Sequence, residues 1–133
     1  MAKFTNDVVF DGFDKYIAGV AVTPDTTNDR DLCVCSAQPT TRTEAITTYM
    51  LAKTTLVKSS DFTIADDPAS PYGRKVTTTQ KTGVSVTNSG TAVYIAICDG
   101  TNLLIVTTCT SQVLTAGNTV TIPAFKAQVG DPT

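Results

Sequence analysis

Four cysteines, Cys33, Cys35, Cys98 and Cys109, are the residues of this 133-residue chain best suited to chemistry, either as metal ligands or as redox pairs. Structural zinc sites usually set two cysteines a few residues apart in glycine-rich knuckles. Here Cys33 and Cys35 flank a single residue inside the apolar run DLCVCS (31–36), and Cys98 and Cys109 end two further runs about a hairpin apart. The pattern favours buried thiols that fill a core. A Cys98–Cys109 cross-strand disulfide and a zinc site are the alternatives. Asp61, Asp66 and Asp67 offer carboxylates for acid–base work or for calcium, but no EF-hand or glycosidase pattern surrounds them. Beside Pro68 and Pro71 they read as a solvated acidic loop, with Arg74 and Lys75 as local charge partners or a subunit contact. Ser36, Ser59, Ser60 and Ser111 sit in no nucleophile-elbow frame. Histidine, the commonest general base and metal ligand, is absent. No catalytic residue, metal ligand or cofactor is therefore expected, and the chain reads as a non-enzyme.

Composition narrows the class further. The chain is long enough to bury a core without staples, and threonine makes up about a fifth of it, a β-branched residue suited to half-exposed strands. The formal charge is -2, with 10 basic and 12 acidic residues interspersed. No basic stripe exists to neutralise phosphates, which argues against nucleic-acid binding. Neither an apolar leader after Met1 nor a run of membrane-spanning length is visible, so no membrane partner and synthesis in a reducing cytoplasm are expected.

The elements that would position these residues are mostly strands. From Gly83 to Pro123 the chain alternates strand and turn: Val84–Thr87, a turn at Asn88-Ser89-Gly90, Thr91–Cys98, a turn at Asp99-Gly100, Leu103–Cys109, a turn at Ala116-Gly117-Asn118, and Thr119–Ile122 stopped by Pro123. This reads as a four-strand meander. Upstream, residues 31–36 form a strand with Cys33 and Cys35 on one face and Leu32, Val34 and Ser36 on the other. Thr41-Arg42-Thr43-Glu44 matches a capping box ahead of one or two helical turns over Ala45–Leu51. Strands follow over Thr54–Lys58 and Asp61–Ala65, then a proline-containing loop. Arg74–Gln80, polar except for Val76, reads as an edge or strongly exposed strand. Gly12–Val22 carries Phe13, Ile17 and Val20 at helical spacing. In sum the chain predicts an all-β fold, an antiparallel sandwich or barrel of jelly-roll type with about eight to ten strands and one or two short helices. Residues 1–30 form an arm or short helix, and residues 31–133 a single β domain.

Three stretches carry a family resemblance: LCVCSAQPTTRTEAITTYMLAKTTL (32–56), DFTIADDPASPYGRKVTTTQKTGVSVTNSGTAVYIAI (61–97) and LLIVTTCTSQVLTAGNTVTIPAF (103–125). The CSAQPTT segment, the GRKV strand and the TTCTSQ…LTAGNTV.IP ending resemble small virion proteins of tailed bacteriophages, most nearly capsid decoration (cement) proteins. The resemblance covers most of the chain after residue 30. It implies a structural protein on the capsid surface of the virion, made in the host cytoplasm, with the major capsid protein and copies of itself, as a homotrimer, for partners. It also implies an arm able to augment a capsid strand. Candidate capsid or subunit contacts are Phe4, Val9 and Phe10 near the N-terminus and Pro71, Tyr72 and Arg74 in the proline-containing loop. A tail or head-fibre module is the first alternative. A host-glycan-binding module using Tyr49, Tyr72 or Tyr94 as a stacking platform is the second.

Overall fold

Strand Arg30–Cys35 (β1) runs through the middle of the structure and separates two unequal hydrophobic clusters. The computed structural model describes residues 29–58, 60–67 and 73–129. Of the predicted N-terminal arm or helix (1–30), residues 1–28, with Phe4, Val9 and Phe10, lie outside the described residues, as do the loop residues Pro71 and Tyr72; Arg30 already belongs to β1. After β1 come one short π-helical turn, Glu44–Thr48, and strands β2 (Met50–Leu56), β3 (Phe62–Asp67), β4 (Gly73–Thr78), β5 (Lys81–Ser85), β6 (Gly90–Cys98), β7 (Leu103–Leu114), β8 (Thr119–Ile122) and β9 (Lys126–Val129). All strand pairings are antiparallel. They build a four-stranded sheet in the order β2-β1-β6-β7, a three-stranded sheet β3-β4-β9 and a two-stranded sheet β5-β8. The expected all-β, sandwich-like fold is therefore present, with sheets packed face to face.

Alternation along β1 and β6 explains the layering, because successive side chains point to opposite faces. Leu32 and Val34 of β1, with Ile95 and Ile97 of β6, face the larger cluster, and Ala92 joins it from beyond an irregularity in the β6–β7 pairing at Val93. There they meet Phe62 and Val76 of the three-stranded sheet and Val84 and Ile122 of the two-stranded one. Cys33, Cys35, Ala96 and Cys98 face the other way, against Ala45 under the helical turn. A buried Leu, Ile, Val or Phe stabilises by roughly 1.5–3 kcal/mol relative to its exposed state. The first cluster is built of such residues and the second of cysteine and alanine, so the first dominates stability.

The capping box forms. Thr41 Oγ1 accepts from the Glu44 N–H at 3.2 Å, and the Glu44 carboxylate accepts from the N–H groups of Thr40 (2.7 Å) and Thr41 (3.3 Å). These donors hold the Glu44 carboxyl below its ordinary pKa, the Thr40 backbone contributing most. The helix is shorter than the sequence predicted. It stops at Thr48, where the Tyr49 N–H closes on the Glu44 carbonyl at 2.8 Å, and Met50 and Leu51 belong to β2. Ile46, Thr47 and Thr48 are β-branched and restrict the χ1 freedom a longer helix would need, while β2 gains a full ladder with β1.

Two further expectations are corrected. Arg74–Gln80 is not an edge: β4 is the central strand of its sheet, paired with β3 on one side and β9 on the other. Its polar residues are matched across the sheet rather than solvated; Arg74 lies 3.0 Å from Asp66, and Thr78 exchanges bonds with Phe125. Nor is Gly83–Pro123 a four-strand meander. β6 and β7 form a hairpin, but β5 pairs with β8. The segments 88–90 and 116–118, read as hairpin turns, face one another as two sides of a kink. The Val86 N–H donates to the Asn118 carbonyl (2.9 Å), the Gly117 N–H to the Val86 carbonyl (3.0 Å), and the Ala116 N–H to Ser89 Oγ (2.9 Å). Register passes through the kink unchanged, from Ala92↔Gln112 and Gly90↔Leu114 to Ser85↔Thr119 and Val84↔Val120. One long ribbon thus leaves the four-stranded sheet and continues as the two-stranded one, as strands do at sandwich corners. Gly117, at φ +92°, takes the left-handed conformation that the kink requires.

Candidate functional site

Two of the three acidic residues, Asp61 and Asp67, are structural rather than part of a solvated loop. Asp61 accepts from the Val57 N–H (2.7 Å), Thr79 Oγ1 (2.6 Å) and Lys81 Nζ (2.7 Å). It thereby ties the end of β2 to the starts of β3 and β5 and the end of β4. Burial works against its charged form, yet the bonds from Lys81, Thr79 and Val57 outweigh it and hold the carboxyl below its usual range. Asp67 has a fully buried side chain, and both its oxygens receive Lys126 Nζ at 3.0 Å, pinning β9 to the end of β3. Only Asp66, with its side chain 82% exposed, is solvated as expected, and Arg74 pairs with it. No local pattern signals the pair with Lys126, because 59 residues separate the partners.

A second polar knot sits at the β6–β7 turn. Asp99 is buried, and its carboxylate accepts from the N–H groups of Asn102 and Thr101, with Arg42 Nε donating to its backbone carbonyl at 2.7 Å. Burial opposes ionisation there too, but the backbone donors, the Asn102 amide and the Arg30 charge bring the carboxyl below its ordinary pKa. Arg42 also reaches Asp31 at 3.5 Å.

The four thiols are free, and three are buried as predicted. Cys98 packs in the small cluster with Cys33 and Cys35, whereas Cys109 packs against the large one. The two lie on opposite faces of the sheet, which removes the Cys98–Cys109 disulfide alternative. Cys33 donates toward Cys98, and this pairing together with burial raises Cys33 far above a thiol's ordinary pKa and lowers Cys98. Burial, with Cys98 adding to it, pushes Cys35 up to about 11. Among the described residues no three His, Cys, Asp or Glu side chains are grouped to hold a metal ion. Tyr49 and Tyr94 are half-buried and pack against the thiol cluster. Of the candidate contacts only Arg74 is described, and it is engaged within its own sheet.

The feature with the geometry of an interaction site is a strand of the stretch that reads in sequence as a meander. β7 is 12 residues long and carries no charge, proline or glycine. Its inner edge pairs with β6, and among the described residues no strand pairs with its outer edge. Such an edge offers a row of N–H and C=O groups to an incoming strand, and proteins normally blunt it with charges, prolines or shortness. Among the described residues several other edge strands are blunted. The start of β2 is covered by the Val86–Ala52 bridge and by Thr87 and Asn88, whose N–H groups both donate to the Leu51 carbonyl. β2 also bears Lys53, β3 bears Asp66, β9 bears Lys126, and β8 is four residues long and ends before Pro123. On β7 the regular part, Leu103–Thr108, is half-buried up to Thr107, and Thr108 and Val113 are exposed. The signal was the uncharged run itself; the meander reading hid it by giving β7 a second neighbour in β8. Comparisons with known protein families, curated proteins and solved structures find no match to this chain.

Proposed function

We propose that this protein is a non-enzymatic virion structural protein that binds the outside of a bacteriophage capsid and stabilises it, as a decoration or cement protein. The resemblance of residues 32–125 to small virion proteins of tailed phages carries the reading. The open β7 edge supplies a physical means, because strand addition lets main-chain hydrogen bonds provide affinity while flanking side chains provide selectivity. The major capsid protein and neighbouring copies of this chain, in a homotrimer, are the partners. The polar knots at Asp61, Asp67 and Asp99 suit a rigid adaptor, since each ties distant strands together through charge-assisted bonds.

Quantitative mass spectrometry of purified particles is the test. A copy number comparable to that of the major capsid protein is expected, and particles stripped of the protein should lose contents at a lower temperature. Absence from the particle sinks the reading. A copy number set by the tail or by one vertex transfers the role to a tail or fibre module.

A further inference from the structure

A cavity of about 210 Å³ lies where β6, β7 and β8 diverge. Its walls are Val34, Ala92, Ile95, Val120 and Ile122, all members of, or packed on, the large cluster. Two features of the ribbon open it. Between Ala92↔Gln112 and Tyr94↔Thr108 the register shifts, so Cys109, Thr110 and Ser111 stand opposite Val93 alone. Beyond them the kink carries β8 into a different sheet. Bulges of this kind bend a strand and re-aim its side chains. Cys109 lines the space, and the exposed Thr110 and Gln112 border it.

Well-packed interiors leave few voids larger than a water molecule, and an apolar cavity of ~150 Å³ stays dry and takes up benzene. This one is larger but opens to solvent on the side of Thr110, Gln112 and Thr121, and none of its lining residues is charged. The only amide among them belongs to Gln112. We propose that the cavity is a binding site for a small neutral molecule with one aromatic ring system, single or fused, and a single polar group, of phenol to indole size. The ring fills the space against Ala92, Ile95 and Val120, and the polar group meets the Gln112 amide at the border. A charged ligand is disfavoured, because burial without a counter-ion costs more than the apolar contacts return. The site is independent of the proposed virion role and stands or falls separately.

Phenol and indole are the probes, used with the full chain. Methyl NMR of Val34, Ile95 and Val120 should show saturable shifts confined to the cavity. Cys109, the one thiol that is not buried, reports occupancy through its rate of modification by a disulfide reagent. Mass action predicts about tenfold slowing at roughly ten times the Kd. Ala92→Leu fills the space and should abolish both signals. Unchanged methyl shifts and Cys109 rates up to the solubility limit of both probes would overturn the proposal. So would full protection of Cys109 in a folded Ala92→Leu chain. The wild-type titration decides the matter even if that variant does not fold.

Discussion

Asp61 collects three donors from segments that span more than twenty positions of sequence, and Asp99 closes the turn on which the longest hairpin is built. Both carboxyls ionise more readily in the fold than in the unfolded chain. Their contribution to stability is therefore complete above the unfolded value, about 3.9 for Asp, and is lost as pH falls through the lower folded value. Urea midpoints should be flat from neutral pH down to about 5 and fall below about 4. Asp61→Asn and Asp99→Asn should each lower the midpoint at neutral pH and make the acid decline shallower. A midpoint that rises on acidification would contradict the assignment. Some of this scale was legible in the sequence: the opposite faces of Cys33 and Leu32 follow from period-two alternation, and the Thr41–Glu44 box from a local motif. Asp67 was not, because a buried aspartate beside prolines looks like a loop residue until its distant lysine is known.

Elements were legible where local periodicity sufficed, as for β1 and β6, and illegible where pairing between distant strands decided. The turn chemistry at 88–90 and 116–118 is real, with Gly117 left-handed as its position requires, but turns of that chemistry serve a kinked ribbon as well as a hairpin. Nothing in residues 83–123 alone discriminates between the two; the difference lies in how Val86, Thr87 and Asn88 engage β2. Gly90 is the tight point of that arrangement. A Cβ there would come within 2.9 Å of Leu51 Cδ2, and Leu51 is itself buried. Gly90→Ala should destabilise by about 1–3 kcal/mol through overpacking. The penalty should shrink in a Leu51→Ala background, a coupling that a double-mutant cycle in urea measures directly. Equal penalties in the two backgrounds would place the strain elsewhere.

For the whole molecule, fold class followed from composition and alternation, whereas the open edge of β7 depended on topology. β4 and β7 exchanged roles between expectation and structure: the polar strand became central, and the apolar one became the edge. Polarity misleads here because Asp66 and Lys126 on neighbouring strands neutralise the charges around β4 and on Asp67, so a charged strand need not face water. Thr108→Lys places a charge on the exposed part of β7. It should leave thermal stability within about 0.5 kcal/mol of wild type, as surface changes usually do, while weakening sedimentation with stripped capsids. Undiminished capsid binding would move the contact away from this edge.

The ribbon that crosses the kink also sets an order of assembly. Its closed end is the short Asp99–Asn102 turn, and each strand pair added from there outward joins neighbours in sequence, so little loop entropy is lost at each step. Beyond the register shift at Val93, register holds from Ala92↔Gln112 to Val84↔Val120, so zipping that crosses the shift would lay down a strand pair for each of two packed layers. In that order β1 and the three-stranded sheet would condense onto a template already bent to shape. Loosening the closed end with Asp99→Ala should slow refolding far more than it speeds unfolding, whereas Lys126→Ala, on the late-joining β9, should do the reverse; stopped-flow chevrons distinguish the two.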